Sequence, residues 1–589
     1  MEELDNIYLC YHSRCSLCRF ELIAGENIVA VYKSQTSKAF CFGQRRTWDE
    51  STSITFIHCQ GQCAHPDGKA FVCHTECKAF MANNPSKALL DALTYTFEPL
   101  AAVEQRRRQW IQSHIRSSFM SFLKLGPHRL PPELALMVAQ YCIRIYAIAA
   151  VCLPITQPSI YSIDILVGIW ASYVVIDGVQ YLASFANQPS DNAQLILSTK
   201  AAANVDRMYI AEDHLGIRQV YFGNGDPPRS AFNLLEVWWK TLSLRSSTQL
   251  RVYTDSFKIR RFECTISDET FYPTKNVSWL MPEPRPNLFR FHAFTSESQC
   301  QLRMSPLTCN NLQTTAYSAY WNSPIFYIQA HSPGEAQGSA IYSDIVARKK
   351  KGVWLYMPVD EGEYISQIWK RSRRLTLDLA LLMVTNKGRV MMMGPQPKPK
   401  PSSYLGPWKW TLLHTSNGNP SRIFFDVTPY GIHKLAFESP EPIQQDQSPV
   451  IPIPLSPYPK LGSLDSYFYT FATLENVAEI TPCEDKVAGK RSIIGLLFHY
   501  SDGTRACVGQ FRLDCATTNL VIGTCPKLWL SFDTNDARPY VNGIGVCPAP
   551  KPKSHDCLYI SWHGKLEWWF TDNQCKLYYK DQSSMQTRM

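Results

Sequence analysis

Eight of the 20 cysteines in this 589-residue chain lie at or before Cys77, and the other twelve are scattered over the remainder. Cysteine clustered with histidine favours a metal site, whereas scattered cysteines mostly serve as small buried hydrophobes. That asymmetry constrains Met1–Tyr95 more tightly than any other stretch. Cys15-Ser16-Leu17-Cys18 has the two-residue spacing that lets two thiolates reach one tetrahedral ion. Phe20–Ile23, the turn Ala24-Gly25-Glu26-Asn27 and Ile28–Val31 then read as a short β-hairpin. Cys73-His74-Thr75-Glu76-Cys77 opens a helix expected to run through Phe80, where the positive end of the helix dipole stabilises thiolate.

Knuckle, hairpin and ligand-bearing helix, in that order, predict a treble-clef module in which Cys15, Cys18, His74 and Cys77 hold one structural Zn2+. The competing account is a set of buried free thiols. Between the two pairs, His58-Cys59-Gln60-Gly61-Gln62-Cys63-Ala64-His65 offers a third ligand group. Cys59 and Cys63 would hold a second ion in a cross-braced, RING-like arrangement, with Cys10, His12 and Cys41 to spare. A closed four-ligand site leaves no position for substrate water, so the expected role is structural rather than catalytic.

Composition narrows the rest. With 45% hydrophobic and only 19% charged residues the chain is globular rather than disordered, and its 12% aromatic content leans toward β-structure. The length suggests about four domains. A net charge of +9 tolerates an anionic partner without requiring nucleic acid. Met1–Asp5 is acidic and no apolar run follows, so no secretory signal is expected. Ile143–Ile155, the most apolar stretch, is interrupted by Arg144 and Pro154 and is too short to span a membrane. The expectation is an intracellular protein of cytoplasm or nucleus, in which the sequon at Asn276 is fortuitous.

Five textures follow one another: the metal module over 1–95, a helical segment over 96–155, and β-rich stretches over 156–330, 331–460 and 461–589. Pro99–Gly126 repeats Trp110, Ile111, Ile115, Phe119, Phe122 and Leu123 at helical spacing. A second helix starts at Leu130-Pro131-Pro132-Glu133-Leu134, with Leu134, Met137, Val138 and Tyr141 as its expected apolar face. Beyond residue 155 the period changes to that of strands. Asp177-Gly178 between Trp170–Ile176 and Val179–Phe185 is the strongest hairpin signal. Strand-like runs recur through Leu558–Phe570, with Pro-rich spacers at Pro395–Pro401 and Ser439–Pro459. The predicted fold class is multidomain α+β and predominantly β: a zinc module, a short helical linker and a large antiparallel β-region, as a β-prism, sandwich or propeller.

Leu130-Pro131-Pro132-Glu133-Leu134 resembles the opening of an F-box, which implies docking onto the adaptor subunit of a ubiquitin ligase. The plainer account is a proline-started helix packed between domains. Basic clusters at Arg106–Arg108, Arg348–Lys351 and Lys370–Arg374 read as solvated ends rather than a nucleic-acid surface, since no aromatic residues interleave with them.

Gly362–Gly394 and Ile494–Gly509 both alternate apolar and polar residues into glycine-containing turns. They resemble jacalin-type β-prism lectins, which implies a carbohydrate ligand, although the family's sugar-binding loop has no counterpart in Trp562–Tyr579. Gly564, Leu566, Glu567, Trp568, Trp569 and Phe570, followed by Gln574-Cys575, together with Asp213–Gln219 and Trp170–Asn187, make the whole chain similar to a class of fungal multidomain proteins. These share a Cys/His zinc-finger-like N-terminus, an F-box-like helix and a long β-rich region, and the resemblance brings no activity with it. Trp562, Trp568 and Trp569 suggest an aromatic platform, but strand alternation turns one of the adjacent pair inward.

No Walker loop, dinucleotide glycine fingerprint, nucleophile elbow or His-Glu-x-x-His motif occurs, so no catalytic residue is assigned. The leading expectation is a non-enzymatic adaptor with unidentified protein partners and no membrane segment. A ubiquitin-ligase component and a β-prism-like lectin are the alternatives.

Overall fold

The computed structural model describes residues 7–583 with interruptions, those of six residues or more lying at 60–67, 124–130, 152–157, 265–276, 283–289, 295–300, 335–341, 346–351, 374–379, 399–406, 460–465 and 547–556. Cys63, His65 and Arg348–Lys351 therefore lie outside the described residues. Two compact units divide the chain, Met1–Arg285 and Pro286–Met589. Their boundary falls inside the β-rich stretch expected over 156–330.

The first unit opens with β1 (Ile7–Tyr11), β2 (Asn27–Tyr32), β3 (Gln35–Thr36), β4 (Phe40–Cys41), β5 (Arg46–Asp49), β6 (Ile54–His58) and β7 (Phe71–His74). β6 lies between β1, to which it is parallel, and the antiparallel β5. β2 pairs with β3, β4 and β7. Its long partner is thus β7, with Ile28 opposite His74 and Val31 opposite Phe71. Phe20–Ile23 forms no hairpin arm: Leu22 N–H donates to Ser13 O at 2.9 Å, and Phe20 and Leu22 turn into the core. The chain here folds back on its own knuckle, which removes it from β2's edge.

Four helices follow: α1 (Thr75–Phe80), α2 (Lys87–Leu93), α3 (Ala101–Leu123) and α4 (Pro132–Ala149). α3 buries Ile111 and Ile115 against the core of the N-terminal sheets, while Phe119 is exposed. α4 departs from the sequence reading. Its buried stripe is Ala135, Ala139, Ile143 and Ala147, and Leu134, Met137 and Tyr141 face outward, Tyr141 at 83% exposure. Small residues let α4 approach α3 closely, and interaxial distance is set by the side chains at the contact.

β8 (Ser159–Asp164), β9 (Ile169–Ile176) and β10 (Val179–Ala186) begin the β-body. Asp177 and Gly178 both take positive φ, 50° and 82°, as a two-residue hairpin turn requires. A Cβ on Gly178 would lie 2.4 Å from the Trp110 ring, so this turn seats directly on α3. The unit also holds Ile217–Gly223, Arg207–Glu212, Trp238–Ser243 and Val277–Trp279, hydrogen-bonded side by side in that order, and a three-stranded sheet ordered Ile259–Cys264, Gln249–Thr254, β8.

In the second unit every pairing among the described strands is antiparallel, and no sheet closes into a barrel. The two segments that carry the lectin resemblance belong to different sheets. Leu558–Phe570, read as one run, is two strands, Cys557–Ser561 and Lys565–Phe570, broken at Gly564 (φ 86°). Trp568 and Trp569 are both buried. Alternation alone would expose one, but the chain around Ser456 covers that face: Trp569 Nε1 donates to Ser456 Oγ at 2.8 Å and Tyr458 lies edge-on at 5.2 Å. Part of the Pro-rich spacer is therefore a packed strap.

Candidate metal centre

The knuckle is built by its backbone. Cys15 N–H donates to Phe20 O at 3.0 Å and Arg19 N–H to Cys15 O at 2.9 Å, with Arg19 at φ 65°. Ser16 N–H donates to Val72 O at 2.8 Å, which docks this turn onto β7. His74 then ends β7 and caps α1, and Cys77 sits in the first turn of that helix. These local choices bring four side chains together. Cys15, Cys18, His74 and Cys77 are all buried, with ligand atoms within 4.8 Å of one another. The Sγ atoms of Cys18 and Cys77 lie 3.5 and 3.4 Å from His74 Nδ1. This group could hold a metal ion.

The thiols oppose one another's ionisation. Burial resists charge on Cys15, yet hydrogen bonds from Cys18, Cys73, Cys77 and His74 hold it well below the ordinary thiol range. Cys18 is pushed up to about 12 by burial and by Cys15. Cys77 is raised by its hydrogen bonds to Cys15 and Cys18 and by burial. One thiolate suppresses the others in a dry site, and only a bound cation reverses that order, since a coordinated thiol is deprotonated outright.

Three neighbours were not legible in the cysteine spacing. Cys73, whose thiol is raised by its hydrogen bond to Cys15 and by burial, stands beside the tetrad without joining it. Glu26 accepts from His74 Nε2 at 3.3 Å and from Ile23 N–H at 2.7 Å, and pairs with Arg144 of α4. A carboxylate on the far nitrogen fixes a ligating imidazole's tautomer and orientation. Glu26→Ala should therefore loosen metal retention by roughly 10–100-fold in chelator competition, with the far-ultraviolet circular dichroism unchanged.

The third is a buried charge cluster. Arg19 donates to Asp177 Oδ2 at 2.6 Å and Arg107 Nε to the same oxygen at 2.7 Å. Arg107 also donates to Cys18 O at 2.7 Å and lies over the Phe20 ring. The knuckle, α3 and the β9–β10 turn thus share one carboxylate.

Among the described residues no other group of three or more Cys, His, Asp or Glu converges on a common point. Cys59 is partly buried beside Tyr11 and belongs to no such group, while its expected companion Cys63 is undescribed. Cys10 donates to Gly68 O and Cys41 to Phe42 O. His214 packs edge-on to Tyr95, and Asp213 is spent on Tyr181 and on the Leu215 and Gly216 amides. The described part of the run that begins at Lys370 is engaged as well, rather than solvated. Arg371 is buried, donating to Pro395 O at 2.9 Å over the Trp408 ring, and Lys370 donates to Ala293 O. No helix among the described residues is long and apolar enough to cross a membrane. No known protein-family model matches the chain, and no curated protein matches it in sequence.

Proposed function

We propose that this chain is a non-enzymatic interaction protein, in which a structural zinc module of treble-clef type braces a large β-rich recognition body. The observation that carries the reading is the closed, fully buried Cys3His set. A tetrahedral ion with Zn–S near 2.3 Å and Zn–N near 2.0–2.1 Å places sulfur and nitrogen about 3.5 Å apart. The Sγ–Nδ1 distances of 3.5 and 3.4 Å fit that figure. Zinc would supply Lewis acidity only toward its own ligands here, because three thiolates and one imidazole fill its coordination sphere. The chain's residues do the bracing: Glu26 links His74 to α4, and Arg107 links the knuckle to the β9–β10 turn.

A second reading, a ubiquitin-ligase component of F-box type, is favoured by the outward stripe of α4. Leu134, Met137, Tyr141 and Ile145 recur along one face, each at least 46% exposed. The two readings separate in one experiment on the purified full chain: metal content, with capture of a ligase adaptor subunit by wild type and by Met137→Glu. One zinc per chain without adaptor capture supports the first reading. Capture abolished by Met137→Glu replaces it with the second, two zinc ions point to a RING-like module, and a metal-free folded chain sinks the zinc scaffold.

A further inference from the structure

The first unit contains a pocket of about 260 Å³ lined by Tyr173, Gln180, Asn192, Gln194 and Gln219. Strand register brings most of this lining together. β9 is paired on one side with β10 and on the other with β11 (Gln194–Leu197). Leu182 stands opposite Tyr173, Val175 opposite Gln180, and Ala171 opposite Gln194. Paired residues share a face, and alternate residues along a strand return to it. Tyr173, Gln180 and Gln194 therefore project from one face of the sheet. Gln219 comes from Ile217–Gly223, the edge strand of another sheet, and Asn192 from the turn before β11. Tyr173 and Gln219 are half-buried, and the other three are exposed around them.

The lining holds four carboxamides and one phenol, with no carboxylate, cation or aliphatic side chain among them. A carboxamide carries two donors and an acceptor, and a phenol one of each. None of the five side chains makes a hydrogen bond to another described residue, so all of this capacity is open to a guest. Charge is sparse around the pocket as well. Burial raises the Tyr173 hydroxyl, and the other described group acting on it is Tyr221. Arg218, next to Gln219 in the chain, donates to the Gln180 carbonyl at 3.2 Å and to Asp213 Oδ2 at 3.4 Å. Asp191, next to Asn192, is exposed and lies outside the lining. Such a hollow has no counter-charge to offset the desolvation of an ion, and no apolar wall for a hydrocarbon. It complements an uncharged body whose groups both donate and accept, which is the chemistry of sugar hydroxyls. Its volume falls just below the roughly 300 Å³ where drug-sized sites begin, which suits a single ring.

We propose that this pocket binds one ring of an uncharged saccharide, its hydroxyls bonded by the carboxamides of Gln180, Asn192, Gln194 and Gln219 and by the Tyr173 hydroxyl. The site belongs to the first unit, whereas the two segments that carry the lectin resemblance belong to the second. The proposal rests on reading the β-rich body as a recognition region, and assigns part of that body a ligand.

Titration of the full chain with glucose, galactose, mannose, xylose and N-acetylglucosamine, read by saturation-transfer NMR, tests it. At least one should bind saturably at a single site, and its uronic-acid and amino-sugar counterparts should bind less well. Gln194→Leu and Gln219→Leu each remove one carboxamide, and each should weaken that sugar about five-fold, the equivalent of about 1 kcal/mol. Gln219→Trp fills the pocket and should abolish binding, whereas Gln188→Leu, exposed and outside the lining, should change nothing. Absence of saturable binding by all five sugars overturns the proposal. So does a preference for the charged counterparts, binding that survives Gln219→Trp, or an affinity indifferent to both leucine variants. Gln194 is exposed, so its leucine variant keeps the test decisive if the tryptophan variant fails to fold. Partner capture by the same preparation separates the two ideas. Sugar binding without any protein partner keeps the pocket and removes the adaptor, and capture without sugar binding does the reverse.

Discussion

Cys77→Ser should release zinc from the purified chain and expose the knuckle, β2, β7 and α1 to hydrogen exchange. The four ligands come from a turn, a strand end and a helix start that share few other restraints. α1 has only six residues, and its cap at His74 makes no side-chain hydrogen bond. Structural zinc contributes roughly 10–16 kcal/mol of apparent binding energy in zinc-finger peptides, so one ligand of four is worth roughly 2.5–4 kcal/mol by even division. Domains are stable by only about 5–15 kcal/mol in all. The loss will nevertheless be local at first. Unlike an isolated finger, this module shares its core with Ile111, Ile115, Ala139 and Ile143 of α3 and α4. Protection should therefore fall steeply around the tetrad and less on α3. Wild type in excess chelator should reproduce the same pattern. Equal protection with and without chelator would mean that buried free thiols, and not an ion, hold this corner together.

What the sequence revealed followed the range of the interaction concerned. The Cys15–Cys18 knuckle, the His74–Cys77 helix start and the Asp177-Gly178 hairpin are all specified within a few residues, and each stands where spacing and turn chemistry place it. β2's pairing with β7 was not legible, because the 38 intervening residues, 33–70, separate partners whose register no local turn dictates. The α4 face failed for another reason. Hydrophobicity selects Leu134, Met137 and Tyr141, but close helix packing selected the alanine stripe at 135, 139 and 147. The pocket in the first unit was out of reach altogether, since its lining comes from four segments spread between Tyr173 and Gln219. Glu26 illustrates the limit at the site itself. It sits in a turn that reads as ordinary, and only the fold turns its carboxylate onto His74.

Asp177→Asn should destabilise the first unit by about 3–5 kcal/mol, second only to loss of the metal. The side chain is nearly isosteric, and asparagine tolerates the left-handed conformation that position 177 adopts at φ 50°. The hairpin turn is thus preserved and the change is one of charge. What it removes is the carboxylate between two guanidiniums, those of Arg19 (1% exposed) and Arg107. Breaking a buried pair costs more than the pair contributes, because the surviving charges stay desolvated without compensation. Arg107→Met added to Asp177→Asn should recover part of the loss, since it withdraws one of those stranded charges. The sign of the pH dependence follows. Burial alone would raise the Asp177 carboxyl, but Arg19 and Arg107 override it and hold it below the ordinary carboxylate range. Its contribution is therefore complete above the unfolded carboxyl's pKa and is lost as pH falls through the depressed native value. Hydrogen-exchange protection of β9 and β10 across that acid range should weaken in wild type and stay flat in Asp177→Asn. A variant as protected as wild type at neutral pH would show that the knuckle, α3 and the hairpin turn are held by packing of Trp110 and Phe20 rather than by the shared carboxylate.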